Sequence, residues 1–158
     1  MADSGKPQGE TDMFKKILVP VDLSDPEHYR DAIETAASFA RQFGSTVRLV
    51  TVLPVLPSVV ADYIPMDTQN KMLDDASGKL RAIVEKLSLG EGNGEVAVRE
   101  GAVYHEVLEE ASVCNADLIV MGSHGRRGIA RMMDGSVSED ILKEHRWPLF
   151  IIPVAPES

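Results

Sequence analysis

The stretch KILVPVD at residues 16–22 decides the fold class. Its centre, ILVPV, is continuously apolar, whereas a strand with one solvent-exposed face alternates apolar and polar residues. A continuous run is expected of a central parallel strand that is covered on both faces. Because Pro20 has no N–H to donate to a neighbouring strand, the strand is predicted to end there.

Outward from this stretch, four further short runs have the β-branched composition of strands. The five predicted strands are residues 16–22, 46–53, 95–100, 116–122 and 148–154. Longer segments with apolar residues at spacings of three and four separate them, which indicates amphipathic helices. The chain is therefore predicted to alternate strand and helix throughout.

The first connecting helix has signals at both ends. Asp25 is a candidate N-cap, Pro26 takes the first helical position and Gly44 stops the helix. Its predicted inner, apolar stripe consists of Tyr29, Ala32, Ile33, Ala36, Ala40 and Phe43. A second helix carries the apolar stripe from Leu73 to Leu87, before the glycine-rich GEGNG. The other two predicted helices cover 102–115 and a segment after Gly135, where Ser136 and Glu139 form a capping box.

This order of elements predicts an α/β fold. It is a Rossmann-like, three-layer α/β/α sandwich around a five-stranded parallel sheet of order 3-2-1-4-5, with right-handed crossovers. Ligands bind such sheets where the strand order reverses, here beyond the carboxyl ends of the first and fourth strands. The segments that follow those strands are DLSD (22–25) and GSHGRRGIARMMDGS (122–136).

Length and composition indicate one globular domain, since the 158 residues are 44% hydrophobic and 26% charged. We predict a disordered tail over 1–12 and a single domain over 13–155. The tail lacks the apolar stretch of a signal peptide. The apolar segment 52–65 is predicted to be irregular, and it is too short and too rich in proline to span a bilayer. No membrane span and a cytoplasmic location are therefore expected.

Charge and cysteine usage exclude further classes. A net charge of -9 argues against nucleic acid as a partner, because phosphate backbones need a basic face. Cys114 is the only cysteine, so an internal disulfide and a zinc-thiolate cluster are excluded. Its apolar surroundings in the sequence predict a buried packing role.

The loop at 122–136 combines features of an anion site inside this acidic chain. Gly122, Gly125 and Gly135 permit close backbone approach, and a helix start at Ser136 offers N–H groups to a phosphate. Arginines at 126, 127 and 131 add positive charge. Alternatively, these glycines only connect a strand to a helix, the arginines are solvated and Ser136 is a cap. The spacing fits neither a Walker loop nor a dinucleotide fingerprint.

These residues carry a family resemblance. The segments KKILVPVDLSD (15–25), ADLIVMGSHGRRGIARMMDGSVSEDIL (116–142) and PLFIIPV (148–154) resemble the universal stress protein family, and the likeness extends over nearly all of 14–154. The spacing Gly-x2-Gly-x9-Gly-Ser matches the ATP-binding branch of that family. The resemblance implies an adenine nucleotide alpha hydrolase-like fold that binds ATP, with Mg²⁺ as a candidate ion held near Asp22 through the phosphates.

The resemblance also implies roles for individual residues. Pro20 and Val21 would lie beside the adenine, Val52 would flank it and Met121 would form the floor. Asp22 would lie near the ribose or a metal-bridged phosphate, and Arg127 would be a further phosphate contact. The ribose and phosphates would be held chiefly by backbone N–H groups of Gly122, Gly125, Gly135, Ser136, Val137 and Ser138.

Alternatives remain for some of these residues. Asp22 also suits a cap of the turn that follows it, and Val52 and Met121 would be apolar with or without adenine. Asp134 departs from the family, which usually has an apolar residue at that position. A carboxylate there should repel phosphates unless Mg²⁺ bridges the two groups or the side chain points to solvent. Asp134→Leu is therefore expected to tighten ATP binding in a titration.

Two functional hypotheses follow. The first is an ATP-binding stress or regulatory protein whose interactions depend on nucleotide and which hydrolyses ATP slowly or not at all, since Asp22 is the one evident base near the loop. The second is a homodimeric interaction module that binds AMP, another anion or nothing. The resemblance implies a homodimer through the edge strand 148–154; alternatively, Pro148 and Pro153 protect that edge in a monomer.

Overall fold

The computed structural model describes residues 14–122 and 146–153. Within these residues the strands are β1 (Lys16–Pro20), β2 (Thr46–Leu53), β3 (Gly94–Glu100), β4 (Leu118–Gly122) and β5 (Leu149–Ile152). The helices are α1 (Pro26–Phe43), α2 (Ser58–Ala61), α3 (Met66–Lys86) and α4 (Val103–Val113). The predicted helix after Gly135 lies outside the described residues.

The described strands form one parallel sheet in the order β3-β2-β1-β4-β5. The predicted fold class and strand order are therefore confirmed. β1 lies at the centre, where Ile17, Leu18 and Val19 are fully buried, as its continuous apolar run predicts. No helix within 14–122 or 146–153 has the length and apolarity needed to cross a membrane.

Helices pack on both faces of the sheet. On one face, α1 and α3 bury Ala36 and Leu80 against β-strand side chains such as Val19, Val47 and Leu49. On the other face, α4 buries Val107 and Ala111 against side chains such as Leu18 and Val50. We call these the α1/α3 face and the α4 face. Alternate residues of each strand point to opposite faces, so each strand contributes to both.

The α4 face also carries ion pairs. Glu110, only 3% exposed, lies 3.0 Å from Arg99 Nη1 and 2.6 Å from Arg48 Nε. Arg99 Nε also lies 2.8 Å from Glu106. Glu95 lies 2.6 Å from Lys16 Nζ and 3.2 Å from Arg48 Nη1. These pairs link α4 to the first three strands of the sheet.

Three of the predicted strand ranges, 16–22, 116–122 and 148–154, are longer than the observed strands. β1 ends at Pro20, where its missing N–H predicts the end, and the turn at Asp22 follows. β4 starts at Leu118, because Ala116 N donates to Ala111 O at the end of α4 and Asp117 binds backbone N–H groups of Lys15 and Lys16. β5 is shorter than the predicted 148–154 at both ends.

Two local predictions need correction. The connection 54–65 was expected to be irregular, yet it contains the helical turn α2, held by bonds such as Ala61 N to Pro57 O at 2.8 Å. Phe43 was expected on the inner stripe of α1 but is 41% exposed, where its ring packs beside Phe14 and Phe39. Asp25 occupies the N-cap position as predicted but makes no side-chain capping bond.

Candidate functional site

The candidate site is the carboxyl edge of the sheet between β1 and β4. In the parallel register of β1 and β4, Leu18 pairs with Ile119. Continuing it by two and three residues brings Pro20 level with Met121 and Val21 level with Gly122. The strand order reverses between these two strands, since β2 and β3 lie on one side and β5 on the other. A crevice at this edge is where parallel α/β sheets bind ligands.

Pro20 and Val21 form the end of the central strand. Both are buried, and Val21 is 3% exposed and packs on the α1/α3 face. Val21 N donates to Val50 O at 2.8 Å, so pairing with β2 continues one residue beyond the strand. These contacts fix the position of Asp22, the next residue.

Asp22 is half-buried and closes a turn. Its Oδ1 accepts bonds from Ser24 N at 3.0 Å and Ser24 Oγ at 2.6 Å, and its carbonyl accepts a bond from Asp25 N at 3.0 Å. This is an Asx turn that leads directly into α1. The alternative role of capping the following turn is therefore present in the structure, and it occupies one of the two carboxylate oxygens.

Val52 and Met121 lie on the α4 face near the same edge. Met121 is fully buried, whereas Val52 is half-buried and packs against the same apolar cluster. Continuing the β1–β2 register from Pro20 and Val50 puts Val52 level with Asp22. Gly122 is also buried and pairs with Ile152 of β5.

The described half of the predicted site thus lies together at one edge. It comprises Pro20, Val21, Asp22, Val52, Met121 and Gly122. The other predicted residues are outside the described residues: Gly125, Arg127, Gly135, Ser136, Val137 and Ser138, and with them Asp134.

Comparison with known proteins identifies the family to which this chain belongs. The sequence profile described as the universal stress protein family matches residues 13–153, which is nearly the whole chain. The chain belongs to the universal stress protein family. The predicted resemblance is confirmed.

Individual relatives agree with this membership. The chain is 31% identical over 134 residues to universal stress protein A homolog 2 of Coxiella burnetii, covering 83% of this chain and 89% of that protein. The solved structure of universal stress protein UspA from Lactobacillus plantarum has the same fold, with a TM-score of 0.67, 20% identity and coverage of 92% of this chain and 100% of that chain.

A third relative has a solved structure with a nucleotide. The universal stress protein from Archaeoglobus fulgidus in complex with dAMP has a TM-score of 0.57 and 22% identity, and the match covers 89% of this chain and 98% of that chain. At this level of identity, the similarity shows that the two proteins share a fold.

Tyr29 is a residue near the edge that sequence reasoning assigned only to the core stripe of α1. Its half-buried ring packs against the α1/α3 cluster. Burial raises the pKa of the Tyr29 phenol, the charge of Arg30 opposes this, and the negative charge of Asp22 raises the pKa further. Tyr29 therefore lies within electrostatic reach of the Asp22 carboxylate. The signal in the sequence that could have indicated this proximity is the position of Tyr29, one turn into the helix that follows Asp22.

Other chemistry-bearing groups lie away from this edge. Cys114 is half-buried, and burial is the main cause of a raised pKa for its thiol, in keeping with the predicted packing role. Within 14–122 and 146–153, no three His, Cys, Asp or Glu side chains are grouped to hold a metal ion.

Proposed function

We propose that this universal stress protein binds an adenine nucleotide at the crevice beyond β1 and β4 and acts in stress response or regulation through nucleotide-dependent interactions. The observation that carries the proposal is the reversal of strand order at β1 and β4, with Pro20–Val21 and Met121–Gly122 at the same level. Crevices at such reversals bind nucleotides in doubly wound folds. The dAMP complex of the Archaeoglobus fulgidus relative supports the choice of ligand class.

ATP is the nucleotide we propose, on the basis of the glycine spacing in the 122–136 loop. In this proposal Pro20, Val21, Val52 and Met121 surround the base. Backbone N–H groups hold the ribose and phosphates, and Arg127 supplies a further phosphate contact. The residues that contribute those N–H groups are Gly122, Gly125, Gly135, Ser136, Val137 and Ser138.

Asp22 has a double role in the proposal. One oxygen stays in the Asx turn with Ser24, while the carboxylate as a whole can accept more than two bonds. A single carboxylate together with phosphates and waters suits Mg²⁺, which keeps several waters and rarely uses an all-protein cage. The residues present therefore fit Mg²⁺ bound with ATP. The ion would neutralise phosphate charge, and Asp22 would orient it.

Slow or absent turnover is part of the proposal. Hydrolysis requires a group that positions and deprotonates water. Asp22 is held by the two bonds from Ser24, which favours a fixed orienting role. We therefore propose a nucleotide-binding protein in which the bound state, and not the reaction, is the signal.

A homodimer through residues 148–154 completes the proposal. β5 forms one edge of the described sheet, and its Phe150 and Ile151 are each 41% exposed. Apolar edge strands tend to pair with another strand. Light scattering at micromolar concentration should give the mass of two chains; the mass of one chain would contradict this part of the proposal.

The second candidate function is a homodimeric interaction module that binds AMP or no nucleotide. The exposed apolar edge of β5 supports it independently of the crevice. It differs from the first candidate in what the purified protein contains and in whether the emptied protein binds MgATP.

The test combines release of bound ligand with matched variants. Freshly purified protein is denatured and the released small molecules are separated by anion exchange. The emptied protein is then titrated with MgATP. Asp22→Asn keeps an acceptor for the Ser24 turn but removes the charge, and Ser24→Ala weakens the turn but keeps the charge. Gly135→Val adds bulk to the glycine loop.

Nucleotide binding at the crevice predicts distinct results for each variant. Asp22→Asn should weaken MgATP binding by about tenfold and should matter less without Mg²⁺, Ser24→Ala should have little effect, and Gly135→Val should abolish binding. No released nucleotide and no binding at millimolar MgATP would reject the ATP proposal in favour of the interaction module. Equal losses in Asp22→Asn and Ser24→Ala would assign Asp22 to the turn alone.

A further inference from the structure

The connection between β2 and α3 exposes a run of apolar side chains. Tyr63 is 84% exposed, Val59 72%, Met66 69%, Val55 64% and Val60 45%. We call these five residues the 55–66 surface. Single exposed apolar side chains are ordinary, but a contiguous group of this kind marks an interaction site.

Hydrogen bonds hold this surface in a defined shape. Asp62 N donates to Ser58 O at 3.1 Å and Tyr63 N donates to Val60 O at 3.0 Å, so a hydrogen-bonded turn continues from α2 to Tyr63. Val59 and Tyr63 are four residues apart, a spacing that favours the same side of such a turn. The Gln69 side chain donates to Ile64 O at 3.1 Å and ties the turn to α3.

The surface is continuous with the buried stripe of α3. Leu80 and Ala76 are buried, Leu73 and Gln69 are half-buried, and Met66 is exposed. These residues follow one another at spacings of three and four and so lie on one side of the helix. This stripe is therefore buried in the core at Leu80 and exposed at Met66, beside α2. The adjoining β2 is paired on both sides, so recognition at this surface depends on side chains.

The charges around the 55–66 surface restrict the kind of partner that can bind there. Residues 54–75 contain four aspartates at 62, 67, 74 and 75, all exposed, against one basic residue, Lys71. An anionic membrane would be repelled by these aspartates. The chain's own segment 1–12 is also a poor occupant, because it has three acidic residues against Lys6. Two copies joined through the same surface would bring like charges together.

We infer that the 55–66 surface docks a basic amphipathic helix of a partner protein. The apolar side of such a helix, with residues at spacings of three and four, packs on Val59, Tyr63 and Met66. Its lysines and arginines face Asp62 and Asp67. Methionine adapts to differently shaped partners, and tyrosine supplies a large contact area in a docking site. This inference does not rest on the proposed nucleotide site.

The experiment uses the full chain and a defined probe. A synthetic peptide of roughly 18 residues carries leucines at helical spacing and lysines elsewhere, and a control peptide has the same composition in an order without helical period. Binding is followed by fluorescence anisotropy. The protein variants are Val59→Ser/Tyr63→Ser and Asp62→Asn/Asp67→Asn. Val113→Ser is the matched control, because Val113 is 65% exposed but lies on α4, across the sheet.

The wild-type protein should bind the amphipathic peptide about tenfold or more tightly than the control peptide. Val59→Ser/Tyr63→Ser should lose about tenfold or more in affinity. Asp62→Asn/Asp67→Asn should weaken binding and reduce its dependence on salt. Val113→Ser should bind like wild type. Unchanged circular dichroism will show that the variants fold, which their exposed positions favour.

Three results would overturn the inference. One is equal binding of the two peptides, which would mean attraction by net charge alone. Another is full binding by Val59→Ser/Tyr63→Ser. The third is a second copy as the occupant: sedimentation would then show self-association that Val59→Ser/Tyr63→Ser abolishes, without selective binding of the amphipathic peptide.

Discussion

The two faces of the sheet are built from the same strands but stabilised differently. On the α1/α3 face, Val47 and Leu49 of β2 are fully buried beneath α1 and α3. On the α4 face, the intervening Arg48 reaches Glu95 and Glu110. Because successive residues of a strand point to opposite faces, β2 supplies apolar burial on one side and ion pairs on the other.

The difference separates two kinds of contribution to the fold. Apolar burial on the α1/α3 face is a direct source of stability, at about 25 cal/mol for each Å² removed from water. Ion pairs taken out of water gain little net free energy, but they are costly to break, since one partner is left without compensation. The α4 face should therefore respond strongly to loss of single charges, and the α1/α3 face to loss of volume.

The largest effect is expected from Leu80→Ala on the α1/α3 face. Leu80 is fully buried on the side of α3 that packs on the sheet, so the change removes apolar contacts and leaves a cavity. The free energy of unfolding should fall by about 3 kcal/mol, measured by urea denaturation. Met72→Ala in the same helix is the control, since Met72 is 45% exposed and should change stability much less. Similar losses in both variants would contradict the assignment of the core.

Glu110→Ala tests the α4 face and should have the next largest effect. It leaves Arg48 and Arg99 without their shared carboxylate. Both arginine side chains keep about a quarter of their surface exposed, so the expected loss is smaller than for a fully buried pair, about 2 kcal/mol.

Glu109→Ala is the matched control for this change, because Glu109 is exposed on the same helix. It should leave the urea midpoint nearly unchanged. If Glu110→Ala were as mild as Glu109→Ala, the ion pairs would be replaceable by water and the contrast between the two faces would disappear.

Gly94→Ala tests how closely α3 approaches the sheet. Gly94 starts β3, and a Cβ built there would overlap Cγ1 of Val84 on α3. Crowding should lower stability by about 1.5 kcal/mol. Gly78→Ala, in α3 itself, meets no atom within 4 Å and should instead raise stability by about 0.5 kcal/mol through helix propensity. Opposite signs in thermal unfolding are expected; a gain from both changes would mean that α3 can shift.

The fold was predictable because its signals are local and repeated. The apolar run of β1, the Pro26 start and the Gly44 stop of α1 each specify an element without knowledge of its neighbours. Gly44 has a φ of 70°, the left-handed conformation that ends helices and that glycine adopts without strain. Strand order then follows from connection length and handedness.

The edge residues were predictable as a group but not in their contacts. Strand order and register bring Val21 and Gly122 together, and order and register can both be predicted from the sequence. The use of Asp22 Oδ1 by Ser24 depends on side-chain rotamers, and the influence of Asp22 on Tyr29 depends on how α1 leaves the turn. Neither is encoded in spacing.

The ion pairs of the α4 face were not predictable for a related reason. Arg48, Glu95 and Glu110 come from three elements, and their meeting depends on the β2–β3 register and on the rotation of α4. In the sequence, Arg48 and Glu95 look like ordinary polar residues of half-exposed strands. Only the pairing of Arg48 with Glu95 across the sheet reveals why an apolar strand carries an arginine.

The smallest effect is expected in the pH dependence of Glu95. Burial raises the pKa of the Glu95 carboxyl, but hydrogen bonds and charges from Lys16 and Arg48 outweigh this, so its pKa lies below the ordinary value. A folded-state pKa below the unfolded one means stability that is present above the unfolded value, about 4.3, and is lost as pH falls through the folded value.

Glu95→Gln should therefore be less stable than wild type near neutral pH, and the difference should shrink below about pH 4 as the wild-type carboxyl becomes protonated. Urea midpoints measured for both proteins from neutral to acid pH check this. Glu85→Gln is the control, because Glu85 is exposed on α3 and should show no comparable convergence. If the difference between the urea midpoints of wild type and Glu95→Gln stayed constant down to acid pH, the contribution of Glu95 to stability would depend on its shape and not on its charge. The α4 face would then depend on packing, as the α1/α3 face does, and the contrast would rest on Glu110 alone.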